Sequence, residues 1–184
     1  MPPLSSLPAE IGFYAEDFRL LSINNTYFSL DDIRGSNGFV IAFICNHCPY
    51  VKAIAKRISS EAEALARINI GFVAINSNDY ESYPEDSFDN MKIFAKDNNF
   101  SFPYLIDSTQ SIAEVYQAVC TPDFFGFNSK GLLMYRGRLD DGGKNGEVKK
   151  RDLYEAMKMV SNNNIVNFDI YPSIGCSIKW KKNS

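Results

Sequence analysis

The sequence is poor in the side chains from which metal centres and disulfide scaffolds are built. Its 184 residues include one histidine and four cysteines, at positions 45, 48, 120 and 176. Cysteines so few and so unevenly spaced cannot staple a chain of this length, which excludes a disulfide-rich small domain. A zinc site built on Cys45 and Cys48 would need two more ligands, and no second Cys-x-x-Cys exists. Cys120 and Cys176 would complete four sulfurs only if two remote segments converged, so no metal is expected. Basic charge is not in surplus either: 19 Lys and Arg stand against 22 Asp and Glu. The short runs Lys149-Lys150-Arg151 and Lys179-Trp180-Lys181-Lys182 read as a solvated helix start and a tail, which argues against a nucleic-acid partner. The longest clean apolar run, Phe39 to Cys45, falls far short of the roughly 20 residues that cross a bilayer. Residues 1–8 carry neither a basic segment nor an apolar one of the secretory kind. These absences lead us to expect a soluble, cytoplasmic protein with no membrane partner.

What is present is an ordinary globular composition, 45% hydrophobic and 22% charged. The length suits one well-cored domain and is short for two. No repeat, low-complexity tract or linker divides it, so residues 1–184 are expected to form a single domain. Residues 1–12 would be an N-terminal arm and residues 161–184 a C-terminal tail. Phe18 to Ser22 and Thr26 to Leu30 flank an Asn-rich turn and predict a hairpin. Phe39 to Ile44 is a continuous apolar run of strand length, as expected of a strand buried on both faces. From Pro49 the period changes: Val51, Ile54, Ala55, Ile58, Ala62 and Leu65 predict an amphipathic helix over 49–67, with Pro49 suited to its first turn. Further strands are predicted at 70–75 and 102–106, helices at 87–97 and 110–117, a hairpin over 123–137, and a last helix around Leu153 to Val160. This order gives an α/β fold with a central mixed β-sheet flanked by helices.

Against that pattern, Cys45 closes a buried strand and Cys48 opens a helix. Free N–H groups and the helix dipole at such a turn favour a thiolate, the reactive form of cysteine. Two intervening residues allow the pair to close and reopen a small disulfide ring. His47, between the two cysteines, would lower a thiol pKa when protonated. Thr121-Pro122 precedes an apolar strand, a first position that tolerates proline. Spacing alone favours a trans bond there.

The Cys-x-x-Cys turn and the Thr-Pro before the next hairpin resemble the thioredoxin fold. More narrowly, the chain resembles a peroxiredoxin-like subgroup of the thioredoxin superfamily, in the broad alkyl-hydroperoxide-reductase and thiol-antioxidant group. The stretches that carry the likeness are FICNHCPYVKA from Phe43, AINSNDYESYPEDSFDNM from Ala74, FPYLIDSTQ from Phe102, CTPDFFGF from Cys120, YRGRLDD from Tyr135 and GCSIKW from Gly175. The resemblance implies a thioredoxin fold with an N-terminal β-hairpin and a βα insertion before the cis-proline strand. It implies that Cys45 attacks and Cys48 resolves, and that Pro122 is cis, with Thr121 and Pro122 docking the substrate. It implies thiol–disulfide exchange in cell redox homeostasis, on protein or small-molecule thiols and disulfides, supported by an unidentified reductase and no cofactor. A thiol peroxidase and a non-catalytic binding or metal-holding module are the alternatives. Peroxiredoxins carry a proline seven residues and a hydroxyl three residues before the attacking cysteine; counted from Cys45, Gly38 and Ala42 stand there. Thioredoxin's buried aspartate, six residues before its first cysteine, is replaced by Phe39. Asp107 and Asp123 are therefore the candidate proton acceptors for Cys48. Cys120 and Cys176 are candidate additional redox cysteines, and Ile178 and Trp180 are expected to anchor the tail.

Overall fold

The computed structural model describes residues 3–182. At its centre lies β4 (Gly38–Phe43), every residue of which is buried. The alternation of its side chains creates two cores. Val40 and Ala42 face one with Ile44, Phe39, Ile41 and Phe43 the other. The first core is closed by α2 (Pro49–Ala66) through Val51, Ile54, Ile58, Ala62 and Leu65. Two further helices complete it, α3 (Phe88–Asp97) and α5 (Asp152–Asn163). The second core receives Leu30 and Ile33 of a short α1 (Leu30–Ile33), together with Ala113 of α4 (Ser111–Val115).

The sheet that separates these cores is mixed, as expected. The hairpin β2 (Arg19–Ser22) and β3 (Tyr27–Ser29) turns at Asn25, whose φ is 61°. It is joined by β6 (Tyr104–Ile106) and β5 (Ile70–Asn76) in the order β3-β2-β6-β5. On the other side lie β4, β8 (Asp123–Asn128) and β9 (Leu133–Gly137), all antiparallel. The halves meet where the Ile44 N–H donates to the Ile75 carbonyl at 3.0 Å. β5 and β6 run parallel, with β6 and α4 forming the segment inserted before the Thr-Pro strand.

Five short elements were not foreseen. These are α1, a 3-10 turn at Pro84–Asp86, and the strands β1 (Leu4–Ser5), β7 (Cys120–Thr121) and β10 (Ile174–Ser177). None is long enough to display a period. The strand predicted over 102–106 starts two residues late, because Pro103 has no N–H to give a ladder. The helix predicted over 110–117 shrinks to five residues between Gln110 and Gln117, both at positive φ.

β1, β10 and β7 form a small antiparallel sheet of their own. Through it, the arm and the tail are tied to the body and to each other. The Ile178 N–H donates to the Val119 carbonyl, and the Lys179 N–H to Asn78 Oδ1. Ile178 anchors the tail at 3% exposure, whereas Trp180, expected beside it, is 41% exposed. Gly175 is required by this packing: a Cβ there would collide with the Thr121 carbonyl and approach Pro122 Cδ to 3.0 Å. Gly175→Ala should therefore push β10 off its partner, at the cost of about 1–3 kcal/mol usual for overpacking. Thermal unfolding should show the loss, and hydrogen exchange should show faster exchange confined to residues 174–178; an unchanged Tm would contradict the packing.

Candidate functional site

The turn between β4 and α2 brings the sulfurs of Cys45 and Cys48 against one residue, Thr121. Cys45 Sγ lies 3.2 Å from Thr121 Oγ1, and Cys48 Sγ donates to the Thr121 carbonyl at 3.2 Å. The Thr121–Pro122 bond is cis, as the resemblance implied and against the preference from spacing. The register of β7 and β10 sets Cys176 opposite Thr121, and Cys176 Sγ stands 2.9 Å from Cys48 Sγ. All four thiols are free.

Two expectations are corrected here. Cys45, as the attacking cysteine, would need to be open to its substrate; both Cys45 and Cys48 are 0% exposed, and only Cys176 reaches the surface in part. The Thr121–Pro122 edge was to be open for substrate; the chain's own β10 already pairs with it. The cause of both is the tail, which folds back across the mouth of the turn. A cavity of about 500 Å³ opens beside Pro122, walled by Tyr50, Ile54, Tyr171 and Ile174 among others, but no cysteine lines it.

The electrostatics separate the two buried thiols. Cys48 is the N-cap of the 18-residue α2, with Pro49 following at N1. The Cys45 thiol, the Cys176 thiol and the N–H groups of Val51 and Cys176 all hydrogen-bond its sulfur, and against the opposition of burial they bring its pKa down to about 5. Burial instead drives Cys45 well above the usual thiol value, reinforced by its hydrogen bond to Cys48 and by the negative charge of Asp86. Cys176 is pushed up to about 12, first by burial and then by the neighbouring Cys48. Of the two, Cys48 at the helix N-terminus is the thiol whose pKa is lowered and Cys45 the one whose pKa is raised.

His47 lies in the turn and hydrogen-bonds Asp86 rather than either sulfur. Its Nδ1 is 2.5 Å from Asp86 Oδ2, and its ring stacks on Tyr83 at 5.6 Å. Asp86, in the 3-10 turn, is wholly buried and supports the entire loop. Its Oδ1 accepts the N–H groups of Asn46 (2.7 Å) and His47 (3.2 Å), and its Oδ2 accepts Asn78 Nδ2 at 2.7 Å. Asn46 is held in turn by the Tyr104 hydroxyl, at 2.9 Å, and by the Glu85 carbonyl. Although burial opposes it, the His47 and Asn78 hydrogen bonds hold Asp86 below the ordinary carboxylate range. The Asp86 hydrogen bond raises His47, with burial opposing. Cys45, His47 and Asp86 present ligand atoms within 4.8 Å of one another. With His47 Nδ1 on Oδ2, however, all four lone-pair positions of the carboxylate face nitrogen donors, so this is a hydrogen-bonded cluster.

Sequence reasoning missed Asp86, Asn46, Asn78 and Tyr104; Asp86 falls inside a stretch that carried the family likeness, but nothing local marks it as buried. Neither carboxylate named as a proton acceptor hydrogen-bonds the sulfurs. Asp107 accepts Ser77 Oγ and the Ala113 N–H, capping α4. Asp123 is pushed up to about 7 by burial and pairs with Arg136 at 2.8 Å. Cys120 also stands apart, its thiol directed at the Pro122 carbonyl at 3.7 Å.

A Cys-x-x-Cys turn between strand and helix, packed on a cis-proline residue pair within a mixed sheet flanked by helices, defines a thioredoxin-fold protein. The chain belongs to the AhpC/TSA family, whose model matches residues 11–136. An uncharacterised conserved protein from Geobacillus kaustophilus is 40% identical, with 100% of this chain and 99% of that one covered and a TM-score of 0.95. A hypothetical protein from Sinorhizobium meliloti is 35% identical over 97% of this chain and 99% of its own, with a TM-score of 0.92. The fold is shared with a secreted Mycobacterium tuberculosis disulfide oxidoreductase homologous to Escherichia coli DsbE, at 19% identity, 77% and 94% coverage and a TM-score of 0.59. No curated protein matches the sequence. Among the described residues, no helix is long and apolar enough to cross a membrane.

The single histidine makes the Asp86 pairing directly measurable. Its imidazole should titrate above 6.5 in the wild type, and Asp86→Asn should bring the midpoint down, since burial then acts with little opposition. The raised value means that pairing stabilises the fold fully below pH 6.5 and loses this effect as pH rises through the folded-state pKa. Proton NMR of His47, with denaturation midpoints across pH 5–8 for both proteins, checks this; identical titrations would dissociate His47 from Asp86.

Proposed function

We propose that the protein is a thiol–disulfide oxidoreductase of cell redox homeostasis, working by dithiol–disulfide exchange at Cys45-Asn46-His47-Cys48. The observation that supports it most is geometric: Cys45 and Cys48, the N-cap of α2, each bring a sulfur to 3.2 Å from Thr121 beside the cis-proline, the pKa of Cys48 being lowered and that of Cys45 raised. The Cys48 thiolate attacks a disulfide, one sulfur of which departs as a thiolate while the other remains bonded to Cys48. Cys45 then attacks Cys48 Sγ, its proton passing to the second sulfur. The second sulfur leaves, and a Cys45–Cys48 disulfide remains. Because every step is an exchange, the redox poise of the surroundings sets the direction. This reading reverses the roles of attacker and resolver that the resemblance implied. Its partners are thiols and disulfides, and it needs no cofactor.

A thiol peroxidase is less well supported. Counted from Cys48, the positions seven and three residues earlier are Ile41 and Cys45, so the proline and hydroxyl of peroxiredoxins are missing from whichever of these two cysteines the count begins. Equilibration in glutathione buffers should show a single two-thiol transition involving Cys45 and Cys48. Cys48→Ser should abolish exchange, while Cys45→Ser should lose the Cys45–Cys48 disulfide. Peroxide should be consumed at least about a hundredfold more slowly than a disulfide substrate, corresponding to roughly 2.7 kcal/mol of barrier. Full exchange in Cys48→Ser, or peroxide turnover as fast as disulfide turnover, would overturn the reading.

A further inference from the structure

We infer that Cys176 is a third redox cysteine, the surface outlet of the buried pair, to which the disulfide moves by exchange from Cys45–Cys48 to Cys48–Cys176. The inference deepens the proposed function and rests on the redox activity of that pair.

The geometry leaves the pair with one exit. Cys45 and Cys48 have no exposed surface, and the cavity beside Pro122 is lined by neither of them. A partner approaching the Thr121 edge meets β10, which is held by its register with β7, by Gly175 against Thr121 and Pro122, and by buried Ile178. The residue this strand sets opposite Thr121 is Cys176, whose sulfur is 2.9 Å from Cys48 Sγ and is half-buried. β10 thus occupies the edge as a bound peptide would and brings its own thiol.

The exchange balances within the chain. With Cys45 and Cys48 joined, Cys176 is relieved of the neighbouring thiolate and ionises more readily, with Lys179 Nζ close by on the Ser177 carbonyl and hydroxyl. The Cys176 thiolate attacks Cys48 Sγ. The Cys45–Cys48 bond breaks with its electron pair on Cys45, which takes up the proton that Cys176 released; the Thr121 hydroxyl, 3.2 Å away, is placed to donate to the departing sulfur. One disulfide and one thiol stand on each side, so no oxidant is consumed. An external thiol then attacks the accessible Cys176 sulfur, and Cys48 leaves as the thiolate that α2 stabilises. A second external thiol resolves the resulting mixed disulfide, freeing Cys176 and an oxidised small-molecule or protein disulfide.

Disulfide mapping decides the matter. Reduced wild type and Cys45→Ser are each oxidised with stoichiometric oxidised glutathione, the remaining thiols are alkylated, and linked peptides are identified by mass spectrometry. Wild type should yield both Cys45–Cys48 and Cys48–Cys176 linkages, and Cys45→Ser should close Cys48–Cys176 in most molecules. If Cys45→Ser leaves Cys176 alkylated while wild type closes Cys45–Cys48, the relay is overturned and the proposed function stands. If wild type closes neither linkage, both fall. Should Cys45→Ser fail to fold, the rate at which glutathione reduces oxidised Cys176→Ser takes its place. That rate should be at least about tenfold below wild type, and an equal or faster rate would overturn the relay.

Discussion

Three sulfurs are organised around one main-chain segment, Cys120-Thr121-Pro122. The Thr121 carbonyl takes the Cys48 thiol, its hydroxyl meets Cys45, and its strand pairs with the residue whose sulfur touches Cys48. Removing that segment would leave the β4–α2 turn with its helix dipole but without a ceiling, and the tail without a place to lie. The pairing also explains why the tail contains glycine before its cysteine. Only a residue lacking Cβ lets β10 come close enough to Thr121 for the sulfurs to meet.

A second constraint acts from below. Asp86 is a charged group without exposed surface, and isolated burial of a carboxylate is costly unless every lone pair is satisfied. Asn46, His47 and Asn78 supply that satisfaction, and two of the donors are the main-chain N–H groups of the Cys-x-x-Cys turn itself. The carboxylate therefore fixes the conformation of the loop on which both cysteines depend. His47 completes the set and offsets the negative charge that would otherwise oppose a thiolate close by. Its influence on the sulfurs operates through Asp86, which is why a side chain between two cysteines makes no hydrogen bond to either.

The large elements were legible because their periods are long enough to see. The six buried residues of β4 and the apolar stripe of α2 point to a strand and a helix without ambiguity, and the Cys-x-x-Cys falls where they join. The fold's shorter parts were not legible, for a physical reason: β7 and β10 have two and four residues, and they are strands only through pairing with segments more than 50 positions away. The same limit applied to the site. In the sequence both cysteines lie at the strand–helix junction, and what distinguishes their sulfurs, first the hydrogen bond between them and then those from Cys176 and the Val51 N–H, exists only in the fold. Asp86 lies in a polar loop where an acidic residue is normally solvated, so its burial follows from how the loop folds back under the turn.

The arrangement resolves a conflict between reactivity and access. The Cys48 thiolate is favoured by helix N–H groups and neighbouring thiols, which outweigh the burial that opposes it. The same burial keeps partners out. A strand carrying a second, half-exposed sulfur into contact with the buried one meets both demands, because sulfur-to-sulfur exchange needs only contact between the atoms and no movement of the helix. The order of acidity follows the same logic. Cys48, the sulfur common to both proposed disulfides, is the most acidic of the three and would be the best leaving group in either. Cys45 and Cys176 are both held protonated when Cys48 is ionised, so the reduced trio carries a single negative charge shared through two thiol hydrogen bonds. A lone buried thiolate would need that charge solvated from elsewhere; here the resting thiols solvate it themselves.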